Sequence, residues 1–170
     1  MALLHIAEPG QSPLPHQVRR AVGIDLGTTN SLVATVRGGR SAVLPDEEGE
    51  VMLPSVVNYT DAAAPLVGAP ALALAPQHPA DTLMSVKRYM GRGSKDASSD
   101  AKRSHYRLAE SDKGLVRFVT NSGEISPFEV SADILRVLRQ RAVATLGGAI
   151  DGAVITVPAY FDEAQRQATK

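Results

Sequence analysis

The sequence has 170 residues with 18 basic and 18 acidic side chains, so it carries no formal net charge, and 44% of its residues are hydrophobic. The hydrophobic fraction is enough for a buried core in one domain or two small lobes, whereas the charge balance gives no indication of nucleic acid or an anionic membrane surface as a partner. The absence of cysteine excludes disulfides and thiolate metal sites and fits a reducing compartment.

Residues 1–20 are interpreted as an N-terminal tail, because several of them interrupt regular structure. The interrupting residues are Pro9, Gly10, Pro13 and Pro15. The first ten residues hold no basic leader, so we expect no signal sequence. No stretch is long enough to span a bilayer. We therefore expect a cytoplasmic protein without a membrane partner.

Residues 21–36 carry the pattern of a β-hairpin with chemistry at its tip. An apolar strand ends at Asp25, a turn of small residues follows, and a second apolar strand comes after it. Gly27 tolerates a positive φ and lets another group approach the backbone. The hydroxyls of Thr28 and Thr29, with the amides of a turn, form a set of donors suited to an anion. These residues indicate a phosphate-binding turn.

A phosphate bound at this turn would be repelled by the Asp25 carboxylate. The repulsion is about 1 kcal/mol at about 4 Å in water and about 4 kcal/mol at an effective dielectric of about 20. A hard cation between the two removes the conflict, and Mg²⁺ suits the position because it is commonly held by one carboxylate, several waters and phosphate oxygens. The same residues also fit an ordinary hairpin turn, in which Asp, Gly and Thr are frequent. The residues alone leave both interpretations open.

The run IDLGTTNS at residues 24–31 resembles the first phosphate-binding motif of the DnaK-type chaperones, the Hsp70 family, within the superfamily of actin and sugar-kinase ATPases. It is neither a Walker loop nor a Rossmann turn, because both glycine patterns are absent from the sequence. The resemblance implies ATP or ADP with Mg²⁺ as cofactors, and Asp25 as the metal-binding residue through water. The residues that it implies for nucleotide binding are Gly27, Thr28, Thr29 and Asn30.

The resemblance also implies the fold class and its division into lobes. The fold is expected to be α/β: a ribonuclease-H-like, actin-like ATPase lobe with a mixed sheet, plus a smaller α+β second lobe. We expect residues 21–54 and 127–170 to form the first lobe, incomplete and truncated in its last helix, and residues 55–126 to form the second. The tail at residues 1–20 is similar to that of the branch of the family that acts in iron–sulfur cluster assembly.

Beyond the hairpin, the sequence predicts further antiparallel strands. Gly38 and Gly39 predict a second turn, and residues 41–44 predict a third strand in the same sheet. Residues 53–59 are expected to be extended, with Pro54 near the start, where a missing amide matters least.

Residues 81–91 predict a helix, with Asp81 as its N-cap, apolar residues on one face and Gly91 as its stop. Lys87 lies at the edge of the apolar stripe, where the residue pattern alone predicts that it extends its charge into water. In the family, the lysine of the matching Val-Lys-Arg-x-x-Gly-Arg stretch points at the terminal phosphate. The resemblance therefore implies that Lys87 is catalytic, aligning the attacking water and stabilising charge on the phosphoryl oxygens.

The last third of the chain predicts a helix, a strand and a second helix. Residues 126–129 form a capping box that opens the longest helix, which ends before Gly147. Residues 153–157 predict a continuous apolar strand covered on both faces. Asp162 caps a helix that is still running at Lys170, so we expect a fragment truncated in this helix.

Residues 154–170 resemble the segment that joins the first lobe to the rest of the family's ATPase domain. The resemblance implies coupling roles for Pro158, Tyr160 and Arg166: a switch at the proline, and a link between nucleotide state and substrate release at the arginine. The alternative is structural, with Pro158 ending a strand and Arg166 lying on a helix face.

The implied function is that of the N-terminal part of the nucleotide-binding domain of an ATP-dependent chaperone. Its partners would be a J-domain co-chaperone and the iron–sulfur scaffold protein as client. We expect the fragment alone to be inactive, because hydrolysis needs groups from both sides of a cleft, and to self-associate through exposed apolar faces. The alternatives left open are a general DnaK-type folding chaperone, a sugar-kinase-like ATPase and an actin-like filament-forming ATPase.

Overall fold

The computed structural model describes residues 20–91, 106–110, 114–159 and 161–170. The strands of this part of the chain are β1 (Ala21–Asp25), β2 (Asn30–Arg37), β3 (Arg40–Val43), β4 (Leu53–Pro54), β5 (Val56–Asn58), β6 (Leu66–Val67), β7 (Thr82–Met84), β8 (Arg107–Glu110), β9 (Val116–Thr120), β10 (Gly123–Ile125) and β11 (Gly152–Thr156). The helices are α1 (Ala69–Leu74), α2 (Pro127–Leu146), α3 (Glu163–Thr169) and a 3₁₀ helix at Val86–Tyr89. The expectations for residues 1–19 lie outside the described residues.

The largest sheet contains the predicted hairpin. Its strands follow the order β11-β1-β2-β3, and β4 pairs with the start of β2. β11 runs parallel to β1, whereas the other pairs are antiparallel. The sheet is therefore mixed and the fold is α/β, as expected, and the three successive antiparallel strands are confirmed.

Side-chain alternation gives this sheet one buried face. Ile24 of β1 lies opposite Val33 of β2, and both side chains are buried. Helix α2 packs against β2 and the 3₁₀ helix, and its buried residues join the same core as these strands. Asp25, one position beyond Ile24, is exposed because successive strand residues point to opposite faces.

Helix α2 begins and ends where the sequence predicts. The Ser126 hydroxyl accepts a hydrogen bond from the Glu129 amide at 3.2 Å, and the Glu129 carboxylate accepts one from the Ser126 amide at 2.7 Å. Gly147, with φ 68°, occupies the C-cap in the left-handed region that glycine tolerates. The predicted capping box and glycine stop are confirmed.

Two smaller antiparallel sheets complete the described structure, in the orders β6-β5-β7 and β10-β9-β8. Phe118 of β9 is fully buried, and the rings of Tyr89 and Tyr106 contact it edge-on with centroid distances of 5.3 and 5.4 Å. Buried hydrophobic residues from all three sheets belong to one cluster. None of the described helices combines the length and the apolar composition that a membrane crossing requires.

The helix predicted over residues 81–91 is wrong. The segment forms β7, then Ser85 in a left-handed conformation with φ 59°, then the 3₁₀ helix. β7 pairs with β5, with Leu83 opposite Val57, so the neighbouring strand supplies the backbone partners that a helix would have supplied internally. Asp81 caps no helix: its carboxylate accepts hydrogen bonds from the backbone and side-chain nitrogens of Asn121 at 2.7 and 2.8 Å.

The strand predicted to be covered on both faces, β11, is largely exposed within the described residues: four of its five residues are exposed and Ile155 is half-buried. β11 pairs with β1 on one side only, and Val154 is 73% exposed. Apolar composition alone cannot establish that a strand is covered, because it does not identify the elements that pack on its two faces.

Arg141 is a buried cation that the sequence pattern did not single out. Its side chain on α2 donates hydrogen bonds to the carbonyls of Glu50 and Val51 at 3.1 and 3.2 Å and to the Asp46 carboxylate at 2.9 Å. The guanidinium therefore fixes the acidic loop after β3 to the helix that covers the sheet.

Candidate functional site

The predicted phosphate-binding turn lies between the end of β1 and the start of β2. Asp25 is the last residue of β1, and the Thr156 hydroxyl donates a 2.7 Å hydrogen bond to its Oδ1 atom. Asp25 and Thr156 are register partners in parallel strands, so both strands end at this edge of the sheet. The carboxylate is thereby oriented while it stays exposed.

Thr28 and Thr29 present unused donors at the turn. Among the described residues, neither amide and neither hydroxyl donates a hydrogen bond. Thr29 is exposed and Thr28 is half-buried. Two amides and two hydroxyls on adjacent residues form a set of donors that suits an anion such as phosphate.

Gly27 is required by close packing within the turn rather than by its φ angle, which is outside the left-handed region. A Cβ atom at this position would lie 1.9 Å from the carbonyl oxygen of Asn30. Its amide donates to Ser31 Oγ at 3.1 Å, and its carbonyl accepts from Ser55 Oγ at 3.0 Å. Gly27 therefore shapes the turn, with its own backbone groups already engaged.

Lys87 reaches the same turn from the 3₁₀ helix. Its ammonium donates a 2.5 Å hydrogen bond to the carbonyl of Leu26, the residue after Asp25, and lies 5.9 Å from the centroid of the Phe161 ring. Burial lowers the pKa of Lys87, and the negative charge of Asp25 opposes that shift. The structure thus brings Asp25, the threonine donors and the Lys87 ammonium together.

The segment that carries Lys87 is held against α3. Gln165 donates a 2.8 Å hydrogen bond from Nε2 to the carbonyl of Met90, and its Oε1 accepts one from the Asp162 amide at 3.0 Å. A Cβ atom on Gly91, where φ is 69°, would lie 2.5 Å from Gln165 Cγ. The segment therefore contacts the region after β11 at two points: Lys87 lies near the Phe161 ring, and the Met90 carbonyl accepts from Gln165.

The residues expected to couple the site to the rest of the protein lie in that region. The Pro158 carbonyl accepts from the Phe161 amide at 3.1 Å. Arg166 of α3 donates from Nε to the Phe161 carbonyl at 3.0 Å and from Nη2 to the Ala159 carbonyl at 3.4 Å. Pro158 and Arg166 thus belong to one folded segment that contacts Lys87 through Phe161. Tyr160 lies outside the described residues.

The protein groups at the turn could supply only part of the ligands of Mg²⁺. Within the described part of the chain, no group of three or more His, Cys, Asp or Glu side chains could hold a metal ion. Asp25 offers a single carboxylate, so water and phosphate oxygens would have to supply the remaining ligands, which is the arrangement that Mg²⁺ commonly adopts.

Two serines at the site were not assigned a role by sequence reasoning. Ser31 and Ser55 are 1% and 3% exposed, and their Oγ atoms are 2.9 Å apart. The only sequence signal is that two apolar residues follow each serine, which favours burial of a hydroxyl that then needs a partner.

Comparison with known proteins identifies the family of this chain. Residues 21–170 match a family model described as "Hsp70 protein". The "Chaperone protein HscA homolog" of Laribacter hongkongensis is 62% identical over 170 residues, which is 100% of this chain and 27% of that protein. The proteins of the same name from Chromobacterium violaceum and Shewanella baltica (strain OS155) are 61% and 58% identical with the same coverage. The chain spans about a quarter of the length of these relatives, and it belongs to the Hsp70 family.

Proposed function

We propose that this chain is the N-terminal part of the nucleotide-binding domain of an ATP-dependent molecular chaperone similar to HscA. The Hsp70 family is an ATP-binding family, and the relatives above carry the name chaperone. The observation that carries the proposal is the convergence of three groups on one turn: the Asp25 carboxylate, the Lys87 ammonium, and the donors of Thr28 and Thr29, which have no partner among the described residues.

Each group at the turn has a distinct proposed role. Thr28 and Thr29 donate hydrogen bonds to phosphate oxygens of ATP or ADP, and Gly27 and Asn30 set the shape of the turn that presents them. Asp25 holds Mg²⁺ through water, and the metal supplies neutralisation of the phosphate charge. Lys87 stabilises charge on the terminal phosphoryl oxygens and aligns the attacking water, as a fixed cation beside a transferring phosphoryl group does.

The proposed site is one side of a cleft. We assign residues 21–54 and 127–170 to a first ATPase lobe and residues 55–126 to a smaller second lobe. Phosphoryl transfer depends on positioned groups around the whole phosphate. We therefore propose that the remaining groups come from other parts of a longer protein and that this chain alone does not hydrolyse ATP.

For the whole protein, we propose a cytoplasmic chaperone that works with a J-domain co-chaperone on the iron–sulfur scaffold protein as its client. Pro158, Tyr160 and Arg166 couple nucleotide state to client release. The contacts of Arg166 and Phe161 support this role, because they link α3 to the segment that carries Lys87.

The proposal is tested on the full-length protein by single-turnover ATP hydrolysis, with and without a J-domain partner. Lys87→Met is expected to lower the rate by about 10²–10³-fold, a usual range for the loss of one transition-state contact, while ADP binding persists. Arg139→Met, an exposed cation on α2, is the control and should leave the rate unchanged.

The alternatives give different results in the same assays. ATP consumption that requires a sugar acceptor would indicate a kinase, and nucleotide-dependent polymers that pellet would indicate an actin-like ATPase. Stimulation by a J-domain partner without a response to the iron–sulfur scaffold, together with refolding of unrelated clients, would replace the HscA-like assignment with a general DnaK-type chaperone.

A further inference from the structure

The peptide groups of Gly27 are enclosed by two buried hydroxyls that come from different parts of the chain. Ser31 lies on β2, and Ser55 lies between β4 and β5. Ser31 Oγ accepts from the Gly27 amide, Ser55 Oγ donates to the Gly27 carbonyl, and the two Oγ atoms are 2.9 Å apart. The contacts close a ring through one glycine and two serines.

The direction of each hydrogen bond in this ring follows from counting protons. A serine hydroxyl has one proton to donate. Ser55 uses its proton on the Gly27 carbonyl, so the proton between the two hydroxyls must come from Ser31. The ring therefore runs from the Gly27 amide to Ser31, then to Ser55, and back to the Gly27 carbonyl. Hydrogen bonds in such a chain polarise and strengthen one another.

Ser55 also fixes the other end of the threonine pair. Its backbone amide donates a 2.8 Å hydrogen bond to the carbonyl of Thr29. The turn is thus held immediately before Thr28, through Gly27, and at Thr29. All of these contacts use backbone groups of the turn other than the threonine amides, so within the described part of the chain they leave the donors of Thr28 and Thr29 without a partner.

We infer that Ser31 and Ser55 are positioning residues for the phosphate turn, which their hydrogen-bonded ring preorganises before nucleotide binds. The inference rests on the proposed nucleotide-binding function. Donors held in place before binding require no ordering when the anion arrives, and small displacements of such donors are costly. Core packing does not explain the hydroxyls, because a buried hydroxyl costs free energy unless it is hydrogen-bonded.

The test uses Ser31→Ala, Ser55→Ala and the double variant in the full-length protein. The dissociation constant of Mg²⁺–ADP is measured by calorimetry, and the free energy of unfolding is measured by urea denaturation without nucleotide. Thr35→Val is the matched control. It removes another buried hydroxyl of β2, which donates to the Ala21 carbonyl at 2.9 Å, away from the turn.

Each single variant is expected to weaken Mg²⁺–ADP binding by about tenfold, the order of one net hydrogen bond to a positioned group. The double variant should bind Mg²⁺–ADP about as tightly as the single variant with the lower affinity, because either change alone opens the ring. Thr35→Val should lower stability without changing the affinity.

Two results would overturn the inference while leaving the proposed function intact: serine variants that bind within twofold of wild type, or losses that simply add in the double variant. Absence of magnesium-dependent ADP binding by the wild-type protein would overturn both the proposed function and this inference.

Discussion

The charge of Lys87 is set by two opposing neighbours. Partial burial of the ammonium lowers its pKa, and the Asp25 carboxylate acts in the opposite direction. We therefore expect Asp25→Asn to lower the pKa of Lys87 further. An NMR titration of the Lys87 side chain measures this, with Asp61→Asn, an exposed carboxylate on another loop, as the control. A Lys87 pKa that stays constant or rises in Asp25→Asn would contradict the geometry.

The same shift determines how pH affects stability. Lys87 has a folded-state pKa below its ordinary value of 10.5. At pH values between these two limits, it binds fewer protons in the folded state than in the unfolded state. The free energy of unfolding therefore contains a Lys87 contribution that rises as pH increases from the folded pKa towards 10.5. In Asp25→Asn this interval becomes wider, because its lower limit moves down.

Single residues differed in how far the sequence could predict their roles. Short motifs predict Asp25, Thr28, Thr29 and Lys87 as site residues, and the structure brings them to one turn. Their roles stay predictions. The serine ring could not be predicted, because it depends on a contact between Ser55 and Gly27, which are 28 residues apart in the chain. Arg141 was missed for the same reason, since its carbonyl partners are about 90 residues distant.

Among the structural elements, those defined by local chemistry were predicted well. The capping box and the glycine stop of helix α2 both lie within or next to its own sequence. The capping box of α3 is equally local, with reciprocal hydrogen bonds between Asp162 and Gln165. The helix prediction for residues 81–91 is wrong because the apolar spacing of this segment fits a helix as well as it fits the observed strand and 3₁₀ helix. Pairing of β7 with β5 decides its structure, and that pairing is not local.

The segment that carries Lys87 depends on a close contact between Gly91 and Gln165. We expect Gly91→Ala to reduce the free energy of unfolding more than Gly114→Ala does, by about 1–3 kcal/mol. Both glycines have nearly the same φ, 69° and 70°, so the backbone strain of about 1–2 kcal/mol is matched. Of these two glycines, only Gly91 has an atom of the described residues within 4 Å of the added Cβ, with Gln165 Cγ at 2.5 Å. Urea denaturation of both variants measures the difference, and equal losses would show that the contact with Gln165 carries no constraint.

For the whole molecule, the sequence predicted the mixed sheet but not its edges. Motifs identify strands, whereas the elements that pack on a strand are set by the complete fold. The apolar run therefore predicts a covered strand, but β11 is largely exposed in the described structure. Val36 and Val154 are 70% and 73% exposed on this sheet. Exposed apolar side chains on a sheet favour association, and self-association of the isolated chain stays a prediction.

The central claim is that the turn after Asp25 and the Lys87 ammonium form one side of a nucleotide cleft. The most direct test is calorimetry of magnesium-dependent ATP binding to this 170-residue chain and to the same protein extended through its complete ATPase domain. Tight binding by the extended protein with little binding by the 170-residue chain is the predicted result. Comparable tight binding by both would contradict the account, because the turn and Lys87 would then form a complete site by themselves.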